Sequence, residues 1–271
     1  MPLTALFLAL GSAVLHAVWN LLLGRARDVQ AAAAATFLLS VVVALPFAVV
    51  WWHADSSVWP YAVASTILEA LYVVALALVY QRSEVSFVYP ATRGLAPVIV
   101  LAFAVLWLGH HASAAEVAGV LVVSVGVVLV RGAGSRGDGL ALLLTATLAA
   151  TIAAYTLVDR AGIHRAGALT YFVLTLALPS LVYPPIVGVR AIRRELGWAV
   201  GAAGLANLGS FTLGLLALRH GSAAAVLAVR SSSVVIATAL AGKLLAERVS
   251  RTRLAGSVLV FAGIALLATA S

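Results

Sequence analysis

The chain has no cysteine, a single methionine and few charges, with Asp, Glu, Lys and Arg together making 10% of its 271 residues. Without cysteine there are no disulfides and no thiolate metal sites. The shortage of charge carries more weight: a soluble chain has roughly 25% charged and 45 to 50% apolar residues, whereas this one is 63% hydrophobic. This composition belongs to an integral membrane protein. Enzyme motifs are also missing: there is no His-Glu-x-x-His, no Gly-x-Ser-x-Gly and no Gly-rich loop ending in Lys-Ser/Thr. No enzyme activity and no cofactor are expected.

What is present is a series of ten apolar runs, separated by charges and by Gly or Pro clusters. They are Leu3 to Leu23, Val29 to Trp52, Val58 to Tyr80, Val85 to Leu108, Ala112 to Val130, Leu140 to Val158, Ala166 to Val189, Trp198 to Ala217, Ser222 to Leu245 and Arg253 to Thr269. Runs of this length, rich in Leu, Ala and Val without two-residue alternation, read as helices rather than barrel strands. The first run has no basic segment before it and is too long for a signal peptide, so it reads as a retained helix.

The halves of the chain resemble each other. A shift of 137 positions aligns Arg82 with Arg219, Arg93 with Arg230, Ser113 with Ser250, Gly119 with Gly256 and Gly126 with Gly263. Helix one repeats more weakly as helix six, with Ala17-Val18-Trp19 facing Ala153-Ala154-Tyr155. The joint is the Gly-rich break from Arg131 to Gly139, giving repeats over residues 1–132 and 137–271. Five helices per repeat is an odd number, so the second copy enters the bilayer from the opposite side. The expected fold is an all-α membrane protein of ten transmembrane helices in two inverted five-helix repeats, a plan of secondary transporters.

Within this plan Arg93 stands out. It lies nine residues past Glu84, which at about 1.5 Å per residue is roughly 13 Å into a core about 30 Å thick. An arginine at that depth costs about 2.5 to 3.5 kcal/mol on insertion scales. Arg230 repeats it in helix nine. The surrounding motifs resemble the drug/metabolite transporter superfamily, in particular EamA-type ten-helix transporters. His16-Ala17-Val18-Trp19-Asn20 looks like a His-Ala-x-Trp-Asn signature, and Ser86 through Tyr89-Pro90, Arg93-Gly94 and Pro97 looks like Ser-x-x-Tyr-Pro-x-x-Arg-Gly-x-x-Pro. Arg230 to Ser233 and Ala246-Glu247-Arg248 resemble the matching run of the second repeat. One departure is that Gly109 is followed by His110 and His111 where the family commonly has Gly-Glu. The resemblance implies a carrier in the plasma (inner) membrane, often an exporter of amino acids or other small metabolites.

The candidate substrate-binding residues are Arg93, Arg230, His16, Trp19, Asn20, Tyr89, Tyr72 and Tyr155. Each arginine either pairs internally and caps carbonyls freed by proline, or lines a cavity and forks onto an anionic group. Glu69, read as the only acid well inside an apolar run, either neutralises one arginine or carries a coupling proton. His16 and Asn20, four apart, share a helical face. Tyr171 and Asn207 are further polar groups inside the runs, and packing is the simpler role for each. Trp51, Trp52 and Trp59 suit an interfacial belt. Adjacent His110 and His111 do not share a helix face and make a poor metal pair.

The expected partners are a small-molecule solute and the lipid bilayer, with a proton or ion as coupling species. The net charge of +8 is spread over short loops, which is a topology signal rather than a nucleic-acid footprint. Other readings are a lipid-modifying enzyme, a scaffold or a channel. An enzyme would need a reactive constellation on one membrane face, and a channel would show ion currents far above carrier rates.

Arg25, Arg27, Arg82, Arg131, Arg136, Arg190, Arg193, Arg194, Lys243, Arg248, Arg251 and Arg253 fall on the side away from the termini, against Arg160, Arg165 and Arg219 on the termini's side. The positive-inside rule then puts both ends outside, while the family resemblance implies cytoplasmic ends. A C-terminal reporter active only in the cytoplasm is expected to stay silent, and a strong signal would show that this charge count does not set the topology.

Overall fold

The computed structural model describes residues 1–80, 85–131, 139–245 and 251–269. Arg82, Arg136, Glu247, Arg248, Ser250 and most of the Gly-rich joint lie outside the described residues. The elements are α1 (Leu3–Leu23), α2 (Val29–Val50), α3 (Trp59–Tyr80), α4 (Val85–Trp107), α5 (Ala114–Arg131), α6 (Gly139–Gly162), α7 (Ala168–Val187), α8 (Val189–Glu195), α9 (Trp198–His220), α10 (Ala223–Ser231), α11 (Ser233–Leu245) and α12 (Arg251–Thr269). Among the described residues, six helices are long and apolar enough to cross a membrane, and four shorter apolar helical stretches accompany them.

Local chemistry sets several of the ends. Asp28 caps α2, its Oδ1 accepting from the amides of Gln30 at 3.1 Å and Ala31 at 3.0 Å. Ser222 caps α10 by accepting from the Ala225 amide at 3.3 Å. Arg219 donates to the carbonyls of Ile163 and Ala166 at 2.7 and 2.6 Å, and Arg160 donates to that of Leu218 at 2.7 Å. Helix C-terminal carbonyls are thereby satisfied by cations, as the dipole favours.

Packing is inverted relative to a soluble protein. In α2 the buried face is Ala31 to Thr36 with Ser40, while Val42, Leu45, Phe47, Val49 and Val50 face outward. Lipid solvates the large side chains, so small residues and hydroxyls take the helix contacts. Ser12 and Ser210 exchange hydroxyl-to-carbonyl bonds of 2.6 and 2.9 Å between α1 and α9. Ser40 donates to the Gly204 carbonyl at 2.9 Å, joining α2 to α9. The helices α5 and α12 cross closest at glycine. A Cβ on Gly126 would lie 2.7 Å from the Gly256 carbonyl oxygen, and one on Gly263 would lie 2.9 Å from that of Gly119.

Three departures from the sequence expectation have local causes. The run Ser222 to Leu245 is divided at Ser232, which adopts φ −59° and ψ −16° between α10 and α11. Serines there compete for backbone groups: the Ser231 hydroxyl reaches the Leu227 carbonyl at 2.9 Å. Helix α6 does not stop at Val158 but runs to Gly162, which carries Asp159 inside the bundle at 2% exposure. Glu69 is therefore not the only interior acid. The seventh run ends at Val187; Gly188, at φ 96°, turns the chain into the Arg-rich α8.

Trp51, Trp52 and Trp59 are all exposed. His110 pairs with Glu116 at 2.9 Å.

The glycine crossing gives a prediction. Gly126→Leu forces α5 off the α12 backbone and should destabilise the protein by about 1 to 3 kcal/mol. Gly201→Ala, where a Cβ meets nothing within 4 Å, should be neutral or stabilising. Thermal unfolding in one detergent compares the two; equal stability would remove the crossing as a close contact.

Candidate functional site

Pro97 has no amide hydrogen, so the Arg93 carbonyl, four residues earlier in α4, has no helical donor. Ser231 of α10 reaches it at 2.9 Å, its single hydroxyl hydrogen shared with the equally distant Leu227 carbonyl. This bond sits where α4 and α10 meet, and it brings the helices bearing Arg93 and Arg230 together. A Cβ on Gly94 would fall 3.0 Å from the Ser124 carbonyl oxygen, so α4 also lies hard against α5 beside Arg93. On α9, Gly214 leaves room for the other arginine: a Cβ there would lie 2.8 Å from the Arg230 Cζ.

Between these helices is a cavity with an empty volume of about 620 Å³, mouth included. Its wall includes His16 and Trp19 from α1, Glu69 and Tyr72 from α3, Arg93 from α4, Tyr155 from α6 and Arg230 from α10. Seven of the sequence candidates thus meet in one place. Asn20 does not line it; its side chain turns back to donate to the His16 carbonyl at 2.7 Å. The Tyr89 side chain lies outside the described residues. Tyr171 is elsewhere, on Asp159. Asn207, with its Nδ2 donating to Ser40 at 3.1 Å, joins the wall. Sequence reasoning missed Phe37, Ser180, Ser210 and Phe211, since single aromatics and serines in apolar runs carry no signal that separates cavity from packing.

Hydrogen bonding in the cavity is unbalanced. Arg93 Nη2 donates to His16 Nε2 at 2.8 Å, while Trp19 Nε1 points at His16 Nδ1 from 3.2 Å. Both neighbours can only donate, and a neutral imidazole has one bare nitrogen. The shorter bond from Arg93 takes it, and the Trp19 N–H is left facing a second donor. Arg230 Nε and Glu69 Oε1 are both buried without a hydrogen-bond partner. Among the described residues no ion pair joins Glu69 to either arginine, although both guanidinium charges act on it. The wall therefore offers N–H donors in excess on one side and a carboxyl oxygen on the other. Tyr72 and Tyr155 stand edge to face at 6.1 Å, and Trp19 and Phe37 are 6.0 Å apart, giving the remainder of the wall aromatic faces.

An all-helical, multi-pass membrane protein with a charged interior cavity is the class that this fold and site define. The sequence model of the EamA-like transporter family matches residues 139–269, and that part of the chain is similar to the family. None of the curated proteins compared matches the chain. A solved structure titled only "Crystal structure of protein" is 19% identical with a TM-score of 0.73, covering 97% of this chain and 94% of that one. At that identity the likeness shows the fold alone.

The α4–α10 bond is open to a direct test. Ser231→Ala leaves the Arg93 carbonyl without its side-chain donor and should destabilise by about 1 kcal/mol, the usual scale in membranes. Adding Pro97→Ala returns a helical N–H to that carbonyl. Denaturant unfolding in bicelles should show the loss in the single variant and recovery in the double; a double variant weaker than the single would sink this assignment.

Proposed function

We propose that the protein is a secondary transporter, an exporter of a small metabolite such as an amino acid or organic acid, working by alternating access in the plasma membrane. The observation that carries the reading is the interior cavity, where Arg230 Nε is buried without a hydrogen-bond partner and the Trp19 N–H faces the imidazole that Arg93 already holds. A donor left unpaired in a buried site is satisfied when a solute brings acceptors, and a carboxylate suits a guanidinium fork.

In this reading the chain crosses the bilayer ten times: the six long helices are joined by α4, α5, the broken α10–α11 and α12, with α8 lying outside the count. The two five-helix halves are inverted. Support comes from α5 and α12, where Gly126 meets Gly256 and Gly119 meets Gly263. Under the 137-residue shift each of these contacts becomes the other, as a two-fold axis between antiparallel copies requires. Two such halves can exchange conformations and open the cavity to either side in turn. The break at Ser232, one turn or less from Arg230, gives the second half a place to bend beside the site.

Removing either guanidinium should lower transport about tenfold or more, the scale of a charged hydrogen bond. Arg93→Ala and Arg230→Ala proteoliposomes, loaded with a panel of labelled amino acids and organic acids, give the measurement, with matched protein level and unfolding temperature as controls. Full flux in both variants of any solute that the unaltered protein carries would take the arginines out of the site.

A further inference from the structure

A second interior acid lies next to the cavity. Asp159 is 2% exposed and sits three residues from the end of α6, on the side of the bundle where both termini lie. Its Oδ1 accepts from the Ser65 hydroxyl at 2.6 Å and from the Tyr171 hydroxyl at 3.1 Å. No cation touches it among the described residues. Gly162 makes the arrangement possible: any Cβ there would run into the Tyr171 ring.

Asp159 is four residues, one helical turn, beyond Tyr155 on α6, and Ser65 is one turn before Glu69 on α3. Two neighbouring helices thus present two stacked layers. The deeper one holds Glu69 and Tyr155 on the cavity wall; the outer one holds Ser65, Asp159 and Tyr171. The charge of Asp159 acts on Glu69 directly, and Glu69 Oε1 has no hydrogen-bond partner. Both carboxyls are buried on adjoining turns of α3 and α6, and among the described residues neither is in an ion pair, an arrangement in which the protonation of one bears on that of the other.

We propose that Glu69 and Asp159 form a coupled proton-binding pair, which supplies the coupling ion of the transport reading on which this inference rests. A proton entering from the termini's side binds Asp159 and passes to the cavity carboxylate of Glu69. Only O–H bonds form and break, and the hydroxyls of Ser65 and Tyr171 hold the outer acid in place. The groups facing the pair are Arg93 from α4, Arg230 from α10, Tyr155 from α6, Tyr72 from α3 and Tyr171 from α7, with His16 of α1 reached through Arg93. At the bundle end, the Arg160 and Arg219 guanidinium groups are occupied by backbone carbonyls.

Infrared spectroscopy of the full chain in lipid, titrated between about pH 5 and 8 with no solute added, tests the pair. The expected result is a carbonyl stretch of a protonated, buried carboxyl that disappears as pH rises. Glu69→Gln and Asp159→Asn should each remove part of it and move the midpoint of what remains by about 1 pH unit or more. Tyr171→Phe keeps the ring and takes one donor from Asp159, and should shift the Asp159 band, which guards against misfolding of the charge variants. Carboxyls ionised across the whole range, or two midpoints indifferent to each other's substitution, would overturn the proposal. Since no solute is used, this result stands apart from the uptake assay: flux that survives without a coupled pair removes the proton and leaves the carrier.

Discussion

The bond from Ser231 to the Arg93 carbonyl answers a constraint that governs the whole molecule. Lipid supplies no hydrogen-bond partners, so every backbone group freed inside the bundle has to be satisfied by the protein itself. Pro97 frees one such group next to an arginine, and the hydroxyl that satisfies it comes from the helix carrying the other arginine. The cost of an imperfect helix is thereby turned into a fixed crossing of α4 and α10. Once these helices cross at this level, Arg93 and Arg230 can share one cavity, and Gly214 on α9 allows the second guanidinium to lie flat against the neighbouring backbone.

The cavity also shows why small residues dominate the interior. A soluble protein drives large apolar side chains inward, but here they gain nothing by leaving lipid. Alanine, glycine, serine and threonine fill the contacts between helices, as along Ala31 to Ser40 of α2. Trp19, Phe37, Tyr72, Tyr155, Phe211 and the two arginines are the large side chains of the cavity wall.

Much of this was legible in the sequence. The ends of α1 coincide with the apolar run, because Arg25, Arg27 and the capping Asp28 follow it. The 137-residue shift pointed to Arg93 and Arg230 together, and both line the cavity along with most of the other candidates. Asp159 was not, since an acid beside Arg160 at the end of an apolar run reads as an interfacial pair. Its burial depends on Ser65 and Tyr171 arriving from two other helices. The break at Ser232 was missed for a related reason. Prolines are loud signals and serines quiet ones, yet α4 is helical throughout Val85–Trp107 despite Pro90 and Pro97, while the helix with no proline divides. In a bundle the partner of the freed carbonyl decides the outcome, and a partner distant in sequence leaves no local trace.

The glycines of α5 and α12 gain meaning together that neither pair has alone. Gly119 and Gly126 are one helical heptad apart, as are Gly256 and Gly263. In a lone copy such a pair suggests only that something comes close. The contacts found, Gly126 on Gly256 and Gly119 on Gly263, bring each copy's glycines to the other copy in reversed order. A small residue at one such site relieves the backbone opposite, so a bulky substitution in either copy would open both contacts of the crossing. At α5 and α12 the contact is backbone on backbone, whereas around α4 and α10 it includes hydroxyls and charged groups. Polar contacts can trade partners at little net change in energy, whereas backbone packed on backbone has no alternative arrangement to trade for.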